Sequence, residues 1–147
     1  MKKLNLIPLS VFKLIICSLL LFTNTVQAQQ VATEILDDVV ITRTDYNAVI
    51  KVLFKRPLTY LSHSPANTGN TINVRVNLLG DFSRSRLNPI ENESININSD
   101  TGLTEVIFEK IGNSSNSITF YFHKPVSYNV IQSSDQRSLS IVVYGLD

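Results

Sequence analysis

Apolar and polar residues alternate in several short stretches of the chain, with the period of two that is typical of a β-strand with one buried face. Ile50, Val52 and Phe54 share one side of such a stretch, and the residues between them face the other way. The stretch 71–79 repeats this alternation. Beyond residue 28, no stretch shows the 3.6-residue period of an amphipathic helix. The pattern predicts an all-β fold.

This pattern occurs twice at a fixed spacing. Residues 50–60 align without a gap on residues 118–128, and a loop shorter by one residue then aligns 72–76 with 139–143. Both copies carry a basic residue before a proline, with a tyrosine three residues after it. The superposed residues are Ile50, Val52, Phe54, Pro57 and Tyr60 on Ile118, Phe120, Phe122, Pro125 and Tyr128. One spacing carried through three strands predicts an internal duplication.

The duplication predicts how the strands are grouped. We expect strands at 37–43, 50–54, 58–62 and 71–79 in the first half, and at 103–111, 116–122, 126–131 and 137–144 in the second. The turn-rich residues 80–102 connect the halves, with a short strand at 93–97 as an option. Repeat one is therefore 37–79 and repeat two 103–147. Their apolar faces can bury each other at the roughly 10 Å spacing of packed sheets, which predicts a β-sandwich of two pseudo-symmetric sheets with about eight strands.

The alternation also predicts the core. Burial of each inward residue stabilises the fold by about 1.5–3 kcal/mol. The expected core residues are Ile50, Val52, Phe54, Ile72, Val74, Val76, Ile118, Phe120, Phe122, Leu139, Ile141 and Val143.

The first 28 residues have the pattern of an export signal. Lys2 and Lys3 precede a short apolar run at 14–22, and small residues lead to a cleavage site after Ala28. The run is shorter than the about 20 residues that span a bilayer, so an uncleaved N-terminal anchor is the weaker alternative. We expect a signal peptide at 1–28, a flexible leader at 29–36 and no stable membrane insertion after cleavage.

Cleavage changes the composition of the exported chain. Cys17, the only cysteine, is removed with the signal, and so are three of the 13 basic residues. An exported domain without disulfides fits a bacterial periplasm. The small negative charge that remains gives no general attraction to nucleic acid or anionic lipid.

Residues that could carry chemistry are sparse. His63 and His123 lie in non-equivalent places without a carboxylate or cysteine at ligand spacing, and a zinc site needs three or four ligands. No serine lies in a nucleophile motif. Asp37 and Asp38 are neighbours on a predicted strand and so point to opposite faces. We expect neither an enzyme nor a bound cofactor or metal.

The repeated basic-Pro-x-x-Tyr element has two interpretations. In the structural one, proline forms a corner, tyrosine packs beneath it and the basic stems lie along the surface. In the functional one, outward aromatic and cationic groups bind a carbohydrate polymer or a partner strand. The candidate ligand-binding residues are Lys55, Arg56, Tyr121, His123, Lys124 and Tyr144.

These segments resemble the AMIN-type domain, in 49–60 with 72–76 and again in 117–128 with 139–143. The order of segments is also similar to the N-terminal region of exported gammaproteobacterial tetratricopeptide-repeat proteins, where a Glu-Ser connection (Glu93-Ser94 here) precedes Gly-Leu-x-Glu-Val (102–106 here). The resemblance implies a periplasmic β-sandwich without catalysis, which targets cell-wall amidases and secretion machinery and binds peptidoglycan.

The chain departs from that family in two ways. It has Asn77 and Tyr144 near the ends of the repeats, where an aspartate is common. It also ends at Asp147, where a catalytic or repeat domain is expected to follow, so we expect a fragment of a longer protein.

Three functions remain open at this point. The first is a non-catalytic module that attaches a larger envelope protein to peptidoglycan or to an envelope assembly. The second is a protein–protein adaptor that pairs through an exposed strand edge. The third is the N-terminal part of a cell-wall amidase whose catalytic domain lies outside this sequence.

Overall fold

The computed structural model describes residues 34–80, 92–111 and 115–146. Its strands are β1 (Leu36–Arg43), β2 (Asn47–Phe54), β3 (Leu58–Ser64), β4 (Thr68–Leu78), β5 (Asn92–Asn96), β6 (Leu103–Lys110), β7 (Asn116–Gln132) and β8 (Ser138–Tyr144). The described residues contain no helix, and hence none that is long and apolar enough to cross a membrane. The predicted all-β class is confirmed, whereas the predicted signal peptide lies outside the described residues.

All strand pairs are antiparallel, and β7 connects two groups of strands. The order is β1-β2-β8-β7-β4-β3, with β6 also on β7 and β5 on β6. Residues 116–122 of β7 pair with β6 and β4, residues 126 and 127 pair with the first residues of β4, and residues 127–132 pair with β8. We call β1, β2, β8 and the end of β7 the β1 part, and β5, β6, the start of β7, β4 and β3 the β6 part.

The ladders of the two parts correspond in register. Ile50 lies opposite Ile141, and the aligned residue Ile118 lies opposite Val74, which aligns with Ile141. The β1–β2 and β6–β7 ladders both shift register directly after their first residue pair. Along these ladders, two residues that align between the repeats therefore have ladder partners that also align between the repeats.

The second half differs from the prediction at Pro125. Pro57 separates β2 from β3, as predicted, but the two strands predicted at 116–122 and 126–131 form the single strand β7. Residues 123–125 lie between the registers and have no ladder partner. A proline, which has no N–H to donate, is accommodated at such a position without losing a ladder hydrogen bond.

The start of β1 lies within the predicted leader. Ile35 is fully buried, and β1 begins at Leu36, one residue before the predicted boundary. The Glu93 carboxylate of β5 accepts hydrogen bonds from the backbone N–H groups of Ile35, at 2.6 Å, and Leu36, at 2.7 Å. The short strand that the sequence offered at 93–97 is therefore formed, at 92–96, and the Glu93 side chain of this strand fixes the backbone at the start of β1.

The side chains of both parts meet in one hydrophobic cluster. Every residue predicted for the core is buried, with at most 5% of its surface exposed. The β1 and β6 strands add Leu36, Leu103, Val106 and Phe108, β3 adds Leu58, and the segments beside the strands add Ile35 and Leu146. The period-two pattern therefore predicted the inward face correctly.

Candidate functional site

The outward residues of the β6 part form a surface that we call the polar face. Its three cross-strand rows, each read from β4 through β7 and β6 to β5, are Thr71–Tyr121–Glu105–Asn96, Asn73–Thr119–Ile107–Ser94 and Arg75–Ser117–Glu109–Asn92. Only Ile107 and Tyr121 contribute large apolar groups. This face therefore presents hydrogen-bonding groups across four neighbouring strands.

The middle of the polar face carries small hydroxyl residues on β7. Ser117 is fully buried and Thr119 is 5% exposed. Asn73 on β4 donates through Nδ2 to Ser117 Oγ at 2.5 Å and to Thr119 Oγ1 at 3.2 Å. The Asn73 amide is thereby fixed against β7.

Tyr121 lies two residues after Thr119, in the next row of the polar face. Its side chain is 38% exposed, and its backbone oxygen accepts a hydrogen bond from Thr104 Oγ1 at 3.0 Å. Its ladder partner Glu105 lines a shallow depression of about 250 Å³, together with Asn92, Glu93, Ser94, Ile107 and Glu109. An exposed aromatic ring beside carboxylates and amides can pack against the apolar side of a ligand while the polar groups bind its hydroxyls.

A second depression, of about 360 Å³, lies between the start of β1 and β5. It is lined by Glu34, Leu36, Asp37, Asn92, Glu93, Ser94 and Ile95. The Glu93 carboxylate is engaged here by two backbone N–H groups. We therefore assign this region a structural role.

The predicted site residues are spread over several places. Lys55 follows β2 and forms an ion pair with Glu34. The hydrogen bond and the positive charge of Lys55 lower the pKa of the Glu34 carboxyl, and the hydrogen bond to Glu34 raises the pKa of Lys55. Arg56 lies beside Lys55 in the turn before β3. Lys55 and Arg56 thus directly precede Pro57.

The other four predicted residues divide between the two parts. His123 and Lys124 lie in the unpaired centre of β7, where the His123 N–H donates to the Gly102 oxygen at 2.9 Å. Tyr121 belongs to the polar face, whereas Tyr144 lies in β8, whose neighbours are β2 and the end of β7. The two tyrosines are therefore on outer faces of different parts and do not share a site.

The repeated tyrosines have structural contacts. Tyr60 donates its hydroxyl to His63 Nδ1 at 2.6 Å, since His63 Nε2 carries the proton that it donates to the Ala66 oxygen at 2.8 Å. Tyr128 is buried, and its hydroxyl donates to the Pro65 oxygen. Burial, and then the charge of Tyr60, raise the pKa of Tyr128. The hydroxyl groups of Tyr60 and Tyr128 are therefore both held by hydrogen bonds within the fold.

The outer face of the β1 part has a different character. Its exposed side chains include Val40, Val49, Ile131 and Tyr144, with 39–49% of their surfaces accessible. Lys51 lies among them, opposite Val40. The two parts thus share an apolar inner pattern but differ in their outer faces.

Sequence reasoning did not select most of the polar face. Asn73, Ser117, Thr119, Glu105 and Glu109 were not among the predicted site residues. The alternation marks them as outward-facing, but only the register of β4, β7 and β6 brings them side by side. Within residues 34–80, 92–111 and 115–146, no group of three or more His, Cys, Asp or Glu residues is placed to hold a metal ion.

Comparison of the chain with models of protein families, with curated proteins and with solved structures found no match.

Proposed function

We propose that the chain is a non-catalytic periplasmic module that attaches a larger envelope protein to peptidoglycan through its polar face. The observation that carries this proposal is the exposed Tyr121 ring beside the polar depression. The arrangement suits a sugar polymer, which has apolar ring surfaces and many hydroxyl groups. The export signal predicted at 1–28 and the resemblance to AMIN-type domains support the periplasmic location and the peptidoglycan ligand.

We also propose the finer architecture, in which the β1 and β6 parts form two facing layers related by a pseudo-twofold axis. Two features support it: the single cluster of buried side chains and the corresponding registers of the ladders. In this arrangement the polar face looks away from the core. It is therefore open to a polymer without any change in the packing.

Strand-edge pairing with a protein partner is the second candidate, and the edge of β3 is poorly suited to it. The Gln132 side chain accepts from the Tyr60 N–H at 3.0 Å and donates to the Leu58 oxygen at 2.5 Å. The Leu58 N–H donates to the Gln136 oxygen at 2.8 Å. The first residues of β3 are therefore already bonded at this edge, a device that disfavours edge-to-edge association there.

The edge of β1 is bonded in a similar way. Glu93 accepts from the first N–H groups, and Asp38 accepts from the Val39 N–H at 2.8 Å. At the far end, Arg43 forms an ion pair with Asp100 at 3.0 Å. These bonds make strand-edge pairing at β1 and β3 the less favoured candidate.

Sedimentation with purified sacculi tests this proposal. The exported chain should pellet with sacculi, and the Tyr121→Ala variant should bind about fivefold more weakly or worse, as for an interface residue worth more than 1 kcal/mol. Tyr144→Ala is the matched control, since Tyr144 is 45% exposed but lies on the other outer face. Absence of sedimentation, or equal losses in the two variants, would contradict the proposal.

A further inference from the structure

The polar face carries charges of opposite sign on its two sides. Arg75 on β4 and Glu109 on β6 flank Ser117 on β7 in one row. Since neighbouring strands lie about 4.8 Å apart, the backbones of the two charged residues are roughly 10 Å apart. Glu105, four residues before Glu109 and therefore about 13 Å further along β6, adds a second carboxylate on that side.

These charges are available to a ligand. Arg75 and Glu109 are exposed, and neither forms an ion pair among the described residues. The two charged residues lie on either side of Ser117 in the same row. A ligand lying across this row can therefore reach both.

The fold does not require charges at these positions. The corresponding row of the β1 part is Val142–Val49–Thr42, which has no charge. The two rows have equivalent places in the ladders, yet only the row of the β6 part carries a cation and an anion. The charged pair is thus specific to the polar face, and the ladder geometry that both rows share does not require it.

We infer that the polar face binds a zwitterionic ligand, whose anionic group pairs with Arg75 and whose ammonium group pairs with Glu109. This inference rests on the proposed function and makes it more specific. The ligand is then the peptide-bearing part of the wall polymer, since its short peptides offer carboxylates and free amines. A bare glycan strand of N-acetylated sugars offers no ammonium group.

Two soluble probes separate these ligands. The first is the disaccharide–peptide fragments that a muramidase releases from sacculi, and the second is the same fragments after an amidase has removed the peptide. Dissociation constants are measured by calorimetry with the whole exported chain, at low and at high salt. We expect the peptide-bearing fragment to bind at least about tenfold more tightly, with an advantage that shrinks as salt screens the charges.

Variants assign the effect to named residues. Arg75→Gln and Glu109→Gln should each weaken binding of the peptide-bearing fragment about fivefold or more, and Glu109→Gln should leave the peptide-free fragment unaffected, because that fragment has no ammonium group. Both side chains are exposed, so an unchanged thermal transition is expected and confirms folding. Lys51→Gln is the matched control, because it removes one charge from the outer face of the β1 part.

The outcomes distinguish this inference from the proposed function. Equal binding of both fragments, unchanged by Arg75→Gln and Glu109→Gln but weakened by Tyr121→Ala, would overturn the inference and leave the proposed function intact. Binding of deacetylated glycan that depends on Glu109 but not on Arg75 would also overturn it. If no fragment binds and the chain does not sediment with sacculi, both the inference and the proposed function are contradicted.

Discussion

Truncation of equivalent core residues tests whether the two halves of the chain are one folding unit. Ile50 and Ile118 align in the sequence, are fully buried and belong to the same cluster. Replacing a buried isoleucine by alanine costs about 2–5 kcal/mol, because apolar surface is lost and a cavity remains. The whole domain is expected to be stable by about 5–15 kcal/mol. Each single variant should therefore fold with clearly reduced stability.

Urea unfolding followed by far-UV circular dichroism and tyrosine fluorescence measures this loss, since the chain has five tyrosines and no tryptophan. At about 1.5 kcal/mol/M, a loss of about 3 kcal/mol lowers the midpoint by about 2 M. Ile50→Ala and Ile118→Ala should both keep one transition and an unchanged slope. The control Ile131→Ala, at a position 49% exposed, should change stability by less than about 0.5 kcal/mol.

Two results would refute this reasoning. A loss below about 1 kcal/mol for either core variant would mean that its side chain contributes little to the core. Two separate transitions, of which only one responds to each substitution, would show that the halves unfold independently.

Other predictions concern bonds outside the core. Glu93→Ala should cost about 2 kcal/mol in urea unfolding, since it leaves the N–H groups of two buried residues at the start of β1 without an acceptor; stability equal to that of Ser94→Ala would contradict this. The pKa of Asp135 is lowered, first by the hydrogen bond from the Arg137 N–H, at 2.8 Å. A lowered folded-state pKa stabilises the fold above the unfolded-state value of about 3.9, and that stability is lost as the pH falls through the folded-state value. Asp135→Asn should thus be less stable than the wild type at pH 6 and equal to it in strong acid, whereas a constant difference would exclude this linkage.

The inward face could be predicted from the sequence because side-chain direction alternates along a strand. Ile72 and Val74 needed no knowledge of their neighbours to be placed in the core, and both are fully buried. The continuity of β7 could not be predicted in this way. Pro125 marks a break in ladder bonding, but whether the strand ends or continues there depends on the partners on either side.

The candidate site was harder to predict because it depends on register. Tyr121 was selected for being aromatic and outward-facing, and it lies on the polar face. Tyr144 was selected on the same grounds and lies elsewhere. Asn73 and Thr119 are 46 residues apart in sequence, and their hydrogen bond follows from the β4–β7 ladder, which alternation alone does not define.

The most direct test of the central claim is to map the ligand on the protein by NMR. Peptide-bearing wall fragments are titrated into the labelled exported chain, and backbone amide shifts are followed. We predict saturable shifts at Asn73, Thr119 and Tyr121, with none at Val49 and Val142 on the other outer face. Shifts confined to that other face, or no saturable shift at any fragment concentration, would contradict the account.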